Sequence, residues 1–169
     1  MKFLKPIELF QQILKANAVE HKRLLGLDIG NKYVGLAVSD SRNKVANPLS
    51  VLVRRKTNTE LMAKDLQTLV SELSLGGIII GYPLDSVNSS SPGAERIKFF
   101  VEDLNKTGKL DDLSYTYWDE RYTSKSCETL LRRLNIHPVE QKTILDKFAA
   151  VEILQRYLDH MRRIPKLED

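Results

Sequence analysis

The apolar positions of this 169-residue chain switch between two periods, and the switches predict its elements. Leu24 to Gly30 is a short apolar run closing on glycine, and Tyr33 to Ser39 is a second, rich in Val and Leu. Gly30-Asn31-Lys32 between them predicts a tight turn, so the two runs form a hairpin. Pro48 to Arg54 alternates weakly and reads as a third strand. From Thr59 to Leu73 the residues Leu61, Met62, Leu66, Leu69, Val70 and Leu73 recur at helical spacing, with Gly76-Gly77 as the stop. Gly77 to Tyr82 is a continuous β-branched run suited to a strand buried on both faces.

Asp85 to Gly93 is a loop by composition, ending in Ser91 as N-cap and Pro92 at the first position of a helix that runs to about Asn105. Leu113 to Asp119 reads as a strand, with Tyr115, Tyr117 and Asp119 on one face and Trp118 and Glu120 on the other. Thr123 or Ser124 caps a helix ending near Asn135, and a last helix covers Thr143 to His160. The order predicts an α/β domain: a mixed sheet with helices on both faces and a site at the strand ends. Before it, residues 1–22 read as an amphipathic helical extension packed on the domain; an organelle-targeting remnant is the alternative. The domain spans 23–160, and 161–169 form a tail.

Composition narrows the classes. An apolar fraction of 42% suits a globular core, and no apolar run approaches the roughly 20 residues of a membrane span. A net charge of +4 permits nucleic-acid binding without requiring it. The single cysteine, Cys127, excludes an internal disulfide and points to a reducing compartment, cytoplasmic or organellar. His21, His137 and His160 are too dispersed in sequence to suggest a zinc site with it.

The chemistry rests on acids. Asp28 interrupts an apolar strand, where an unpaired carboxylate is costly. Asp119 and Glu120 end another strand, and Asp146 borders the apolar stripe of the last helix. Clustered carboxylates repel unless a hard cation such as Mg²⁺ or Mn²⁺ holds them together. Each acid also has an ordinary reading. Asp28 could cap the turn, Asp119 and Glu120 could pair with Arg121, and Asp146 could pair with Lys142 one turn earlier. Of the adjacent pair, the face shared with Tyr115 and Tyr117 favours Asp119 as a ligand.

Four segments together resemble the YqgF/RuvX family of the RNase H-like superfamily. They are GLDIGNKYVGLAVSD from Gly26, GYPL from Gly81, DERYT from Asp119, and KTILDKFAAVEILQRYL from Lys142. The resemblance implies a five-stranded sheet, three antiparallel strands followed by two parallel ones. It implies that Asp28, Asp119 or Glu120, and Asp146 meet as metal ligands in a nuclease of structured nucleic acid. The implied substrate is precursor small-subunit rRNA or branched DNA, and the implied partner state a monomer or homodimer.

Lys32, Arg121 and Lys142 are candidates to hold phosphate, and Arg132 and Arg133 to follow the backbone. Three departures touch the expected phosphate loops. Tyr33 stands where the family usually has a basic residue, Asp85-Ser86-Val87-Asn88 replaces an x-x-D-G step, and Asn135 to Gln141 is nearly neutral. They leave open a binding module for RNA or ribosome assembly without strong catalysis. A nucleotide phosphotransferase of the actin and sugar-kinase kind is disfavoured by length and by the lack of a Walker A motif.

Overall fold

The computed structural model describes residues 1–54, 58–83, 91–119 and 138–164, the last segment by backbone alone at 138–143, 145 and 146. Ten elements follow in order: β1 (Lys2–Phe3), α1 (Pro6–Ala16), β2 (Arg23–Ile29), β3 (Tyr33–Ser39), β4 (Ala46–Val53), α2 (Thr59–Leu73), β5 (Leu75–Tyr82), α3 (Pro92–Lys106), β6 (Ser114–Asp119) and α4 (Pro138–Arg162). They build one six-stranded sheet in the order β1-β6-β5-β2-β3-β4. β2, β3 and β4 pair antiparallel in succession, while β5 and β6 continue parallel to β2, which is the expected RNase H-like arrangement. The sixth strand is an addition. Lys2 and Phe3 pair in parallel with Ser114 and Tyr115, extending the sheet at its edge.

Each face of the sheet carries its own helical layer. On one face Leu25, Leu27, Ile29, Ile78 and Ile80 pack with Met62, Ala63 and Leu66 of α2 and with Ala94, Ile97, Phe100, Val101 and Leu104 of α3. On the other face Leu24, Ala37 and Ile79 pack with Leu9, Phe10 and Ile13 of α1 and with Ala150, Ile153, Leu154, Tyr157 and Leu158 of α4. Alternation along β2 therefore sends odd positions toward α2 and α3 and even positions toward α1 and α4. Asp28 is even.

Local signals explain the helix boundaries. The Ser91 side chain accepts a hydrogen bond from Ala94 N at 3.2 Å, the expected N-cap of α3. Helix α2 does not stop at Gly76-Gly77. Ser74 takes the left-handed C-cap position at φ 53°, and both glycines belong to β5. Their role is clearance for α1: a Cβ on Gly76 would lie 2.7 Å from Ile13 Cδ1, and one on Gly77 3.0 Å from Leu9 Cδ1. The N-terminal segment is thus woven into the core. Tyr157 reinforces it, donating from its hydroxyl to Pro6 O at 2.7 Å, and burial pushes that phenol's pKa up. The expected helix between Thr123 and Asn135 lies outside the described residues.

Helix α4 starts earlier than Thr143, at Pro138, where the fixed proline φ suits a helix start. It crosses β2 at Gly26, where an added Cβ would sit 2.8 Å from Leu154 Cβ and 3.0 Å from Ala150 O. Gly26→Ala must push helix and sheet apart, so it should destabilise the fold by about 1–3 kcal/mol. A melting curve should show a loss of roughly 3–10 °C; an unchanged Tm would mean that α4 rides farther from β2.

Candidate active site

The acids are positioned by strand register. Leu27 pairs with Ile80 in β5, and Gly81, the next residue, pairs with Trp118 in β6. Asp28, Gly81 and Trp118 therefore share one row at the carboxyl end of three parallel strands. Two strand spacings, about 10 Å, separate Asp28 from that end of β6. Asp28 is partly buried near the end of β2, in register with Gly35 of β3. Asp119 is also partly buried, ends β6 and pairs in register with Tyr82.

The face argument that favoured Asp119 is corrected by the packing. Tyr115 and Tyr117 lie against the α2/α3 cluster, the face opposite to Asp28. Tyr117 stacks 4.5 Å from Tyr82, centroid to centroid, and its burial drives the phenol's pKa upward. Trp118 instead meets Tyr157 and His160 of α4 at 5.4 and 5.2 Å. Trp118 is thus on Asp28's side of the sheet, and Glu120 lies outside the described residues. Asp119 is not confined to the tyrosine side, however. The edge strand β1 covers only Ser114 and Tyr115, and Asp119 borders a hollow of about 330 Å³ with Trp118, Arg156, Asp159, His160 and Arg163.

The fourth acid is placed by the backbone of α4. Gln155 accepts from Ala46 N at 2.8 Å, at the end of the sheet where β4 begins. Ala150 O lies over Gly26. The helix therefore runs from the Asp28 end toward the start of β2. One helical turn from Ala150 back to Asp146 covers about 6 Å, and the two residues from Gly26 to Asp28 cover about 6.6 Å. The Asp146 position and the Asp28 position thus lie at the same level, on facing elements. Lys142 is one further turn along the same helix, and the side chains of both α4 residues lie outside the description.

The basic residues divide. Lys32 is exposed in the β2–β3 turn, four residues after Asp28. Arg121, Arg132 and Arg133 lie outside the described residues. Sequence reasoning missed Arg54, which fixes that turn: its backbone N donates to Lys32 O at 2.7 Å and its Nη1 to Gly30 O at 3.2 Å. Gly30 N also donates to Tyr33 O at 2.8 Å. The only signal for Arg54 was its place at the end of a strand paired to the hairpin, too weak to single it out.

Among the described residues no three His, Cys, Asp or Glu side chains form a metal-sized cluster. Two of the four predicted acids have side chains outside that set. The donor chemistry fits a hard divalent cation: all four are carboxylates, and Asp28 and Asp119 are partly buried at strand ends. No helix among the described residues is long and apolar enough to cross a membrane.

Comparison with known proteins identifies the family and agrees with the fold. Three bacterial proteins carrying the name "Putative pre-16S rRNA nuclease" are similar over most of both chains. The one from Methylocella silvestris is 34% identical over 151 residues, covering 89% of this chain and 91% of its own. The one from Syntrophomonas wolfei is 36% identical and covers 81% and 94%; that from Halalkalibacterium halodurans is 34% identical and covers 83% and 98%. Among solved structures, T. thermophilus RuvC in complex with Holliday junction substrate shares the fold at a TM-score of 0.51, with 11% identity over 83% of this chain and 96% of that one. The family model described as RuvX, Holliday junction resolvase, matches residues 22–160. A match of that length, which takes in Asp28 and Asp146 alike, means that the chain belongs to the RuvX family.

Proposed function

We propose that the protein is a metal-dependent phosphodiesterase of structured nucleic acid, acting in 5′-end processing of precursor small-subunit rRNA. The observation that carries this reading is the partly buried Asp28, in the sheet row that faces the Asp146 level of α4. A strand carboxylate taken partly out of water and set opposite a second acid is an arrangement that a bound cation stabilises. The relatives' shared name supplies the substrate class.

Asp28, Glu120 and Asp146 would hold Mg²⁺ or Mn²⁺, with Asp119 beside them at the strand end. The cation would supply Lewis-acid activation of water and neutralise charge at the phosphodiester. The remaining work falls to this chain's own side chains. Lys32, held out by the braced turn, meets the phosphate ahead of Asp28, and Arg121 and Lys142 offer further donors around it. Arg132 and Arg133 follow the sugar-phosphate backbone away from the cut. The working unit spans 23–160, with 1–22 as a docked extension and 161–169 as a tail, and it operates as a monomer or homodimer in the cytoplasm.

Asp28→Asn keeps size and shape and removes a charge. It should leave the melting temperature within a few degrees of the parent, while metal-dependent cleavage of labelled precursor rRNA falls on the order of 10³-fold, about 4 kcal/mol. Cleavage by this variant at the parent's rate would refute the mechanism. A four-way DNA junction belongs in the same assay, with Mg²⁺, Mn²⁺ or EDTA. Cuts restricted to the junction would assign the resolvase reading, and binding without cuts a ribosome-assembly module.

A second test separates the neighbouring acids. Calorimetric titration with Mn²⁺ should show Glu120→Gln weakened by about 100-fold and Asp119→Asn by less than about tenfold. The reverse order would make Asp119 the ligand.

A further inference from the structure

A second concave site lies around the braced turn, on the α2/α3 side of the sheet. It encloses about 540 Å³, within the range of small-molecule sites, and Asn31, Arg54, Arg96, Phe99, Phe100 and Asp103 are among its walls. The Arg96 guanidinium donates through Nη1 to the Asn31 side chain, and its Nε is buried with no hydrogen-bond partner among the described residues. Arg54 lies 5.3 Å over the Phe100 ring while holding Gly30 O. Burial, and after it the neighbouring Arg96, disfavour the charge on Arg54; Asp103 opposes them.

Two guanidinium groups thus face one hollow. Each has five N–H donors, and among the described residues these hydrogen bonds occupy one side-chain donor of each. Like charges brought together in partial burial favour an anion between them. Beside them Phe99 leaves 61% of its surface exposed, an unusual cost for a phenylalanine on a helix whose next residue is buried. Asp103 sets a polarity along the hollow, because it repels an anion at its own end and accepts from hydroxyl or amino groups there.

We propose that this hollow grips one nucleotide of a single-stranded segment of the substrate. Arg54 and Arg96 take its phosphate, Phe99 stacks on its base, and Asp103 accepts from its sugar or base. Guanidinium forks suit a phosphate, and an exposed ring stacks on any base without sequence preference. The inference rests on the nucleic-acid reading above and deepens it. The turn Gly30–Lys32 separates this hollow from Asp28, so a strand seated here enters the acid site along the turn. The protein would then select nucleic acid with an unpaired segment next to the cut.

The test is fluorescence anisotropy with a labelled octaribonucleotide in EDTA, where nothing is cut. The parent, Phe99→Ala, Arg96→Gln and Arg96→Lys are compared after each is shown to melt cooperatively. Phe99 is exposed, so its alanine variant should fold as the parent does. Phe99→Ala and Arg96→Gln should each weaken binding about tenfold, and Arg96→Lys should recover only part of the loss, since an ammonium lacks the planar fork. A 16-base-pair blunt duplex should bind the parent and Phe99→Ala alike.

Equal affinity of all four proteins for the octamer would overturn the proposal. So would displacement of the octamer by a nucleoside monophosphate as readily as by unlabelled octamer, which would assign the hollow to free nucleotides. The outcome is separable from that of the nuclease reading. Cleavage lost in Asp28→Asn together with parental octamer binding by Phe99→Ala sinks only the hollow. Weakened octamer binding with no metal-dependent cleavage in the parent sinks only the nuclease.

Discussion

The contact on which the site depends is the close crossing of α4 over β2 at Gly26. A hydrogen in place of a methyl group there lets Ala150 and Leu154 come within van der Waals reach of the strand's backbone. Interiors packed to crystal density do not tolerate an unneeded gap, so the crossing point is held to a fraction of an ångström. Ala150, Ile153, Leu154, Tyr157 and Leu158 then fix the helix's rotation by burying one stripe against Leu24, Ala37 and Ile79. With crossing point and rotation fixed, the level of every residue on α4 relative to β2 follows. Asp146 and Asp28 are brought to one level by packing alone, with no attraction between them needed.

That order of causes matters because the acids would themselves oppose the proposed assembly. Carboxylates gathered at strand ends repel each other, and partial burial removes some of the water that would shield them. The fold must therefore supply the binding energy from elsewhere. Two apolar layers do so, α2 and α3 against one face and α1 and α4 against the other. The N-terminal helix contributes through Leu9, Phe10 and Ile13, which are 0, 5 and 2% exposed. Gly76 and Gly77 open the place where that helix sits. Glycine thus serves the fold twice by the same means, yielding side-chain volume so that a helix can approach a strand.

Much of this was legible in the sequence. The β2–β3 hairpin, helix α2 and the Ser91 cap carry strong local signals: tight-turn chemistry, helical period, a serine before a proline. Asp28 stood out too, because a carboxylate inside an apolar strand violates the pattern around it. What failed was of another kind. A two-residue edge strand such as β1 has no period to detect. Gly76-Gly77 resembles a helix stop, and nothing local reveals that α1 will need the room. Alternation grouped Asp119 with Tyr115 and Tyr117, but periodicity cannot tell which layer a face will meet. That is decided by the crossover helices. Arg54 was invisible because its task, holding a turn on a neighbouring strand, exists only once β3 and β4 are paired.

The β2–β3 turn is where these threads meet. It follows Asp28, displays Lys32, and is tied down through Gly30 O and Lys32 O by Arg54. Asn31, at its tip, is bonded to Arg96 from α3. The end of β4 and helix α3 therefore both converge on a turn of three residues, an unusual investment for a hairpin that the backbone could close unaided. A net charge of only +4 on the whole chain does little to attract a polyanion. Local concentration compensates: Lys32, Arg54 and Arg96 stand around one turn, and the carboxylate at its base can accept a cation. On the proposed function, a phosphate backbone drawn to this point would meet cationic side chains before it meets Asp28, so the repulsion between phosphate and carboxylate would be offset where it is otherwise greatest.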